Sequence, residues 1–295
     1  MTEFQSRFVL GGSSLSKLDH PMLDQFLLRA FDLGICEIDS APTYGRLEKK
    51  LGQIIGDDPR WIVNTKIGSH DHLKFPIEGI SSQLENTLTL LKRNHVGTVF
   101  VHSVPMIEFT KSIEDSIVKL KADGLSKHLG YSSNSDVNDL FRAIQLKIFE
   151  RYQVTCSVLD QSNLKVVVHL LNEQFYFKRV LGSGVLKTSL VDDAKLQAKL
   201  LFGLNNRFST NDYHYRFTQL FGFYRSRKKI AGEFLRFAFN LGETPRLIVG
   251  VSDINHLSRL VEFEKSFHSL RSEDMISLQN RFRNLESIHK WTPFR

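Results

Sequence analysis

Eight times along this chain a short apolar run gives way to a stretch with apolar residues at helical spacing, and that alternation restricts the fold more than any other feature. The runs are residues 7–10, 36–39, 61–66, 96–102, 126–131, 152–159, 177–181 and 246–251. The helical stretches between and after them include 21–33, 47–55, 77–92, 113–123, 136–148, 164–175, 230–239 and 254–264. Gly34 and Gly124 close two of these helices, and Val166-Val167-Val168 weakens the helical pattern of a third. Nearly continuous apolar runs suit strands buried on both faces, as in a parallel sheet. Eight βα units in ~250 residues match a (β/α)8 TIM barrel. A doubly wound sheet is the alternative, but no GxGxxG follows the first strand. No Pro/Gly/Ser linker divides the chain, so one barrel domain over residues 1–295 is expected. Residues 182–224 form a long excursion after strand seven, and 272–288 carry the spacing of an extra C-terminal helix.

Composition narrows the setting. With 41% apolar residues the chain can bury a core. Cys36 and Cys156 follow no metal or disulfide spacing and read as small core hydrophobes; no metal site is expected. The N-terminus lacks an apolar signal core, and no stretch approaches the ~20 apolar residues of a membrane span. A cytoplasmic protein with no membrane partner is the expectation. The net charge of +7 favours anionic ligands by steering. The cluster Arg225, Arg227, Lys228, Lys229 reads as a solvated helix start, so nucleic acid is not an expected partner.

The chemistry gathers at strand ends. Strand two ends on Asp39, strand three on Lys66 and strand four on His102. Neighbouring strands lie ~4.8 Å apart, so parallel strand ends bring these side chains to one region. A turn of small residues after Asp39, with Pro42 and Gly45, presents Tyr44 to the same place. In a barrel that region is the C-terminal mouth, where catalytic groups sit. Taken singly, the Asp could cap a helix, the Lys be solvated, and the His and Tyr pack. Their common register is what points to chemistry.

Such a group supports proton donation to a carbonyl. A phenol with an ordinary pKa of about 10 needs a neighbouring cation to release its proton near neutrality. Lys66 can supply the cation, Asp39 can hold it charged, and His102 can steer the carbonyl oxygen. No side chain delivers a hydride, so reduction requires a nicotinamide cofactor.

The segment Asp39-Ser-Ala-Pro-Thr-Tyr-Gly, followed by Glu48 and Leu51-Gly52, resembles the D-T-A-x-x-Y-G-x-S-E-x-x-L-G segment of the aldo-keto reductase superfamily. Thr65-Lys66 and His102 fall where that family carries its lysine and histidine. The resemblance implies a catalytic tetrad of Asp39, Tyr44, Lys66 and His102. It also implies NADP(H)-dependent reduction of an aldehyde or ketone, NAD(H) not being excluded, with Tyr44 as general acid. Gly124-Leu-Ser-Lys-His-Leu-Gly-Tyr-Ser-Ser resembles the family's G-K-I-R-x-I-G-V-S-N. By that resemblance Asp39, Ser132, Ser133 and Gln153 meet the nicotinamide end of the cofactor, with Ser133 replacing an asparagine. Lys178 falls near the aromatic residue that stacks on the nicotinamide ring. The Gly182–Leu186 turn resembles the loop after strand seven. Ile248 to Leu260 resembles the dinucleotide-phosphate loop, with Ser252, His256 and Arg259 toward phosphate and adenine. His256, Arg259 and Leu260 depart from the usual residues there. Two alternatives follow. One is a degenerate barrel that binds nicotinamide as a regulatory subunit without turnover. The other is a Schiff-base lyase using Lys66, which Asp39 disfavours by keeping the amine charged. The sequence does not specify the substrate or the oligomeric state.

Overall fold

The computed structural model describes residues 4–68, 79–102, 104–106, 109–133, 137–167, 174–182, 186, 227–242, 245–267, 272–273, 276–277 and 279–280. Eight strands, β1 (Phe8–Gly11), β2 (Glu37–Asp39), β3 (Ile62–Ile67), β4 (Val96–His102), β5 (Ser126–Ser132), β6 (Arg151–Thr155), β7 (Gln174–Lys178) and β8 (Arg246–Val249), pair in chain order into a closed barrel. Every neighbouring pair is parallel, including β1 with β8, which closes the ring. This is the (β/α)8 TIM barrel.

The described helices are α1 (Gly12–Leu15), α2 (His20–Asp32), α3 (Leu47–Ile54), α4 (Ile80–Leu91), α5 (Lys111–Ala122), α6 (Val137–Gln145), α7 (Leu164–Val167), α8 (Arg227–Phe239) and α9 (Ile254–Lys265). Helix α2 starts where Asp19 accepts from the Met22 amide at 2.9 Å, with Pro21 in the first turn. Its apolar stripe Leu23, Phe26, Leu27 and Ala30 is buried against the sheet. Burying a leucine or phenylalanine there contributes about 1.5–3 kcal/mol each. Outward-facing strand residues such as Leu10, Ile38, Val99, Val101 and Phe177 share one core with these stripes.

Inside the barrel, period-two alternation stacks two kinds of residue. An apolar cluster of Val9, Phe100, Tyr176 and Ile248 fills the middle. Toward the strand N-termini lies a buried polar network around Glu37. One carboxylate oxygen of Glu37 accepts from Asn64 Nδ2 at 2.7 Å and from the Tyr176 hydroxyl at 2.8 Å. The other accepts from Arg246, at 3.0 Å from Nε and 2.9 Å from Nη2. Arg151 extends the network, donating to Thr98 Oγ1 at 2.8 Å and to the Tyr176 oxygen at 2.9 Å. The buried charge of Glu37 is thereby paired, as burial in a barrel requires.

Three boundaries differ from the sequence expectation. The seventh strand is Gln174–Lys178, starting three residues before and ending three residues before the expected 177–181 run. Alternating aromatics there, with Phe175 and Phe177 outward and Tyr176 inward, make a strand rather than the end of a helix. Accordingly α7 covers only Leu164–Val167 of the expected 164–175 helix, and 168–173 lie outside the described residues. The sixth strand stops at Thr155 because Ser157 and Asp160 pair across a tight turn. The excursion after strand seven and most of the expected C-terminal helix also lie outside the described residues, as do Arg225 and the side chains of Arg227, Lys228 and Lys229.

Candidate active site

The inward residues above the apolar cluster come from six consecutive strands. They are Asp39 on β2, Lys66 on β3, His102 on β4, Ser132 on β5, Gln153 on β6 and Lys178 on β7. Strand register sets them side by side: His102 pairs with Ser132, and Ser132 with Gln153.

Lys66 is buried, and its Nζ lies 2.7 Å from both Asp39 oxygens and 2.8 Å from the Ser40 carbonyl. Burial opposes the ammonium charge. Asp39 and then Tyr44 more than offset that cost, so the amine is held above its ordinary pKa. The Tyr44 ring centre stands 5.1 Å from the same Nζ. For the Tyr44 phenol, burial is the largest influence and pushes the pKa up. The Lys66 charge and hydrogen bond pull it down, Asp39 pushes it up again, and Arg179 adds a smaller pull down. The balance lies above 10, opposite to the lowering expected from a cation alone. Desolvation outweighs the cation in this pocket, so Tyr44 carries its proton throughout the neutral range.

Close approach at the end of β1 makes room for Tyr44. A Cβ on Gly12 would lie 2.7 Å from the Asp39 carbonyl oxygen and from Leu47 Cδ2, and 2.9 Å from Tyr44 Cδ2. Gly45 follows the tyrosine with φ of +63°, a left-handed turn that glycine adopts without strain. Glu48, in the first turn of α3, is the residue whose role the sequence reading passed over. It accepts from Thr65 Oγ1 at 2.7 Å and Thr87 Oγ1 at 3.1 Å, so it joins α3, β3 and α4. Burial raises its carboxyl pKa against the pull of those two hydroxyls. Thr65 precedes Lys66, so this buried tie also fixes the strand that carries the amine. Its only sequence signal was its place in the motif.

Lys66 and His102 line a cavity of about 320 Å³ together with Ala41, Pro42, Thr43 and Gln83. His102 is half-buried. Gln153 spans the mouth: its Nε2 donates to Asp39 Oδ1 at 2.5 Å, while its buried Oε1 has no partner among the described residues. Ser132 Oγ accepts from Lys178 Nζ at 3.0 Å. Ser133 is buried, and its amide donates to the Gln153 carbonyl at 2.9 Å.

The remaining three candidates sit apart, on the β8–α9 side. Ser252 is half-buried; His256 and Arg259 are exposed. Asp253 caps α9, accepting from the His256 amide at 2.8 Å. Arg259 Nε donates to the Asn255 carbonyl at 3.2 Å. Leu260 is buried against the core, which explains a leucine at that position. Among the described residues, no group of three or more His, Cys, Asp or Glu could hold a metal, and no helix is long and apolar enough to cross a membrane.

A closed parallel barrel with its polar side chains collected at the strand C-termini has the layout of a TIM-barrel enzyme. The sequence pattern of the aldo/keto reductase family matches residues 7–280, and the chain belongs to that family. Solved structures agree on the fold. The holo form of an aldo-keto reductase from Bacillus halodurans is 16% identical with a TM-score of 0.70, over 94% of this chain and 92% of that one. An aldo-keto reductase from Klebsiella pneumoniae in complex with NADPH is 17% identical with a TM-score of 0.65, over 94% and 91%. Another from Klebsiella pneumoniae, in complex with NADP and acetate, is 16% identical with a TM-score of 0.63, over 94% and 92%. A comparison with curated proteins finds no match.

Proposed function

We propose that this chain is an NADP(H)-dependent oxidoreductase that reduces an aldehyde or ketone to an alcohol, with Tyr44 as general acid. One observation carries the reading: the Lys66 amine, 2.7 Å from the Asp39 carboxylate, faces the Tyr44 ring at 5.1 Å. A phenol whose pKa is raised by burial keeps its proton until a substrate oxygen gains negative charge. The fixed Lys66 charge then stabilises the phenolate left behind, without reorganisation. His102, which lines the cavity beside Lys66, would hold the carbonyl oxygen toward Tyr44.

The residues at the mouth fit a nicotinamide. Gln153 Oε1 is a buried acceptor in need of an N–H donor, and Ser132 Oγ lies in the same layer. These two would hold the carboxamide. When bound, the nicotinamide supplies the hydride that no side chain can. The relatives solved with NADP or NADPH support the phosphorylated dinucleotide. Ser252 and Arg259 are the candidates for its phosphate end.

The alternative, a nicotinamide-binding subunit without turnover, draws support from Asp253. Its carboxylate takes the first-turn amide of His256, a donor that a phosphate at this helix end would use. Measuring NADPH fluorescence and absorbance with an aldehyde panel separates the readings. Quenching with turnover that disappears in Tyr44→Phe supports the reductase. Quenching with no turnover of any aldehyde supports the binding subunit.

A further inference from the structure

The cavity beside Lys66 and His102 has a polar wall that the proposed reduction leaves without a task. Helix α4 supplies Gln83, Asn86, Thr87 and Leu90 to it, a spacing that puts all four on one helix face, and α3 supplies Glu48. Small-molecule pockets are usually walled by apolar and aromatic side chains. Here, among the described residues, no Phe, Tyr or Trp ring lines the cavity, and Leu90 is the one large apolar residue in the lining. Thr87 and Glu48 are buried, and the Glu48 oxygens accept one hydroxyl each, from Thr65 and Thr87. A carboxylate oxygen can accept a second donor, and each of Gln83 and Asn86 carries an NH2 donor and a carbonyl acceptor. Thr43 and Gly45, on either side of Tyr44, also line the cavity, so it adjoins the turn that carries the phenol. It lies on the β2 to β4 side of the mouth, whereas Ser132 and Gln153 stand on β5 and β6.

We propose that Gln83, Asn86, Thr87 and Glu48 form a hydroxyl-binding subsite, and that the substrates it selects are short, uncharged hydroxyaldehydes. The carbonyl end of this proposal rests on the reductase reading; the hydroxyl end rests on the cavity alone. A hydroxyl both donates and accepts, so it can give its proton to Glu48 while taking one from an amide of Gln83 or Asn86. An alkyl chain in the same place would shut water away from these groups and return no hydrogen bond. A site built to bond a hydroxyl rejects the analogue that lacks it more strongly than an apolar pocket rejects a change in chain length. Charge narrows the class further. Lys66, the only Lys or Arg among the described lining residues, is committed to both Asp39 oxygens, while Glu48 brings a carboxyl. The cavity therefore suits an uncharged group better than a carboxylate or a phosphate. Its volume of about 320 Å³ stands at the small end of the range for ligand sites, which fits a short chain.

The test compares glyceraldehyde with pentanal, which has the same number of heavy atoms, on the full chain with NADPH. The readout is the ratio of their kcat/KM values in wild type and in the double variant Gln83→Leu, Asn86→Leu. Hydration of each aldehyde in water cancels when the variant ratio is divided by the wild-type ratio. Asn86 is exposed and Gln83 half-buried, so the variant replaces no buried side chain. The ratio should fall at least about tenfold, through a higher KM for glyceraldehyde. A ratio that stays within about twofold of wild type would overturn the subsite. If neither aldehyde is reduced, the reductase reading fails, and saturation-transfer NMR with the corresponding alcohols decides the subsite without turnover. Glycerol should then receive more saturation from the wild-type protein than 1-pentanol does, and lose it in the double variant. Stronger transfer to 1-pentanol in wild type, or glycerol transfer unchanged in the variant, would overturn the proposal. Asn86→Leu alone serves both measurements where the double variant folds poorly, with the same direction expected.

Discussion

Gln153 and Lys66 donate to the same oxygen of Asp39, one from β6 across the barrel mouth and the other from the neighbouring strand β3. The carboxylate that holds the candidate catalytic amine is thus itself anchored across the ring, since β2 and β6 are four strands apart in either direction. Gln153 consequently has two tasks. Its nitrogen fixes Asp39, and its oxygen is left for a ligand. Gln153→Leu should lower kcat about tenfold, the cost of roughly 1.4 kcal/mol in the transition state. It should also weaken NADPH binding measured by fluorescence. Unchanged kcat with unchanged cofactor affinity would remove both tasks.

Tyr44→Phe keeps the ring beside Lys66 and deletes only the proton donor. A fall in kcat of about 10²–10⁴ is expected, with cofactor affinity nearly intact. Lys66→Met should lower kcat comparably by removing the cation that faces the phenol. It also leaves the buried Asp39 without its ion-pair partner, so a loss of about 3–5 kcal/mol of stability accompanies it. Steady-state kinetics paired with thermal denaturation separate the two variants, since Tyr44→Phe should leave Tm close to wild type. Wild-type rates in either variant contradict these roles.

Gly12→Ala tests whether the packing around Tyr44 matters to catalysis. The new Cβ would press on the Asp39 carbonyl oxygen, Leu47 and the Tyr44 ring at distances under 3.0 Å. The backbone oxygen cannot yield as a side chain can. Overpacking of this kind costs about 1–3 kcal/mol. The displaced ring should lower kcat by about tenfold or more. A fully active, fully stable Gly12→Ala protein would show that the mouth is looser than these contacts imply.

The strand ends at Asp39, Lys66 and His102 were readable because each is a polar residue terminating an apolar run, a purely local pattern. The barrel itself was readable for the same reason: the period changes from strand to helix eight times. Nothing local, however, announces the Glu37 network. In sequence Glu37 is one charge inside Cys-Glu-Ile-Asp. Its role appears only when Arg246, 209 residues away, arrives at 2.9–3.0 Å. The pKa of Tyr44 was misjudged because sequence shows which charges are near but not how much water is lost. Strand β7 was displaced because its aromatics, Phe175, Tyr176 and Phe177, suit either a buried helix or a strand, and the barrel's alternation decides between them.

Glu37 also yields a stability prediction. Glu37→Ala strands Arg246 and deprives Tyr176 of its acceptor, at an expected cost of about 3–5 kcal/mol by chemical denaturation. Glu37→Gln keeps the shape and can still accept from Tyr176, so it should cost less. Burial first, and Glu37 second, raise the Tyr176 phenol. It should therefore remain unionised through the alkaline range in which exposed tyrosines titrate, and Glu37→Ala should bring it lower. Ultraviolet difference titration of the tyrosines reads this directly.

Lys178 makes stability itself pH-dependent. Its pKa in the folded chain is about 7 against about 10.4 unfolded. Between those values the unfolded chain binds one more proton at this position than the folded chain. Stability must then rise with pH across that window, because folding has to release a proton that the unfolded chain keeps, and that release becomes less costly as pH rises. Below pH 7 the penalty is complete, and above about 10.4 it is gone. The slope from one such group is at most about 1.4 kcal/mol per pH unit, or about 2–4 °C in Tm for a chain of this size. Lys178→Met removes the proton and should flatten the Tm profile between pH 7 and 10 while raising its acidic limb. If the variant and wild-type profiles run parallel, the Lys178 amine is charged at neutral pH and burial does not lower it as described.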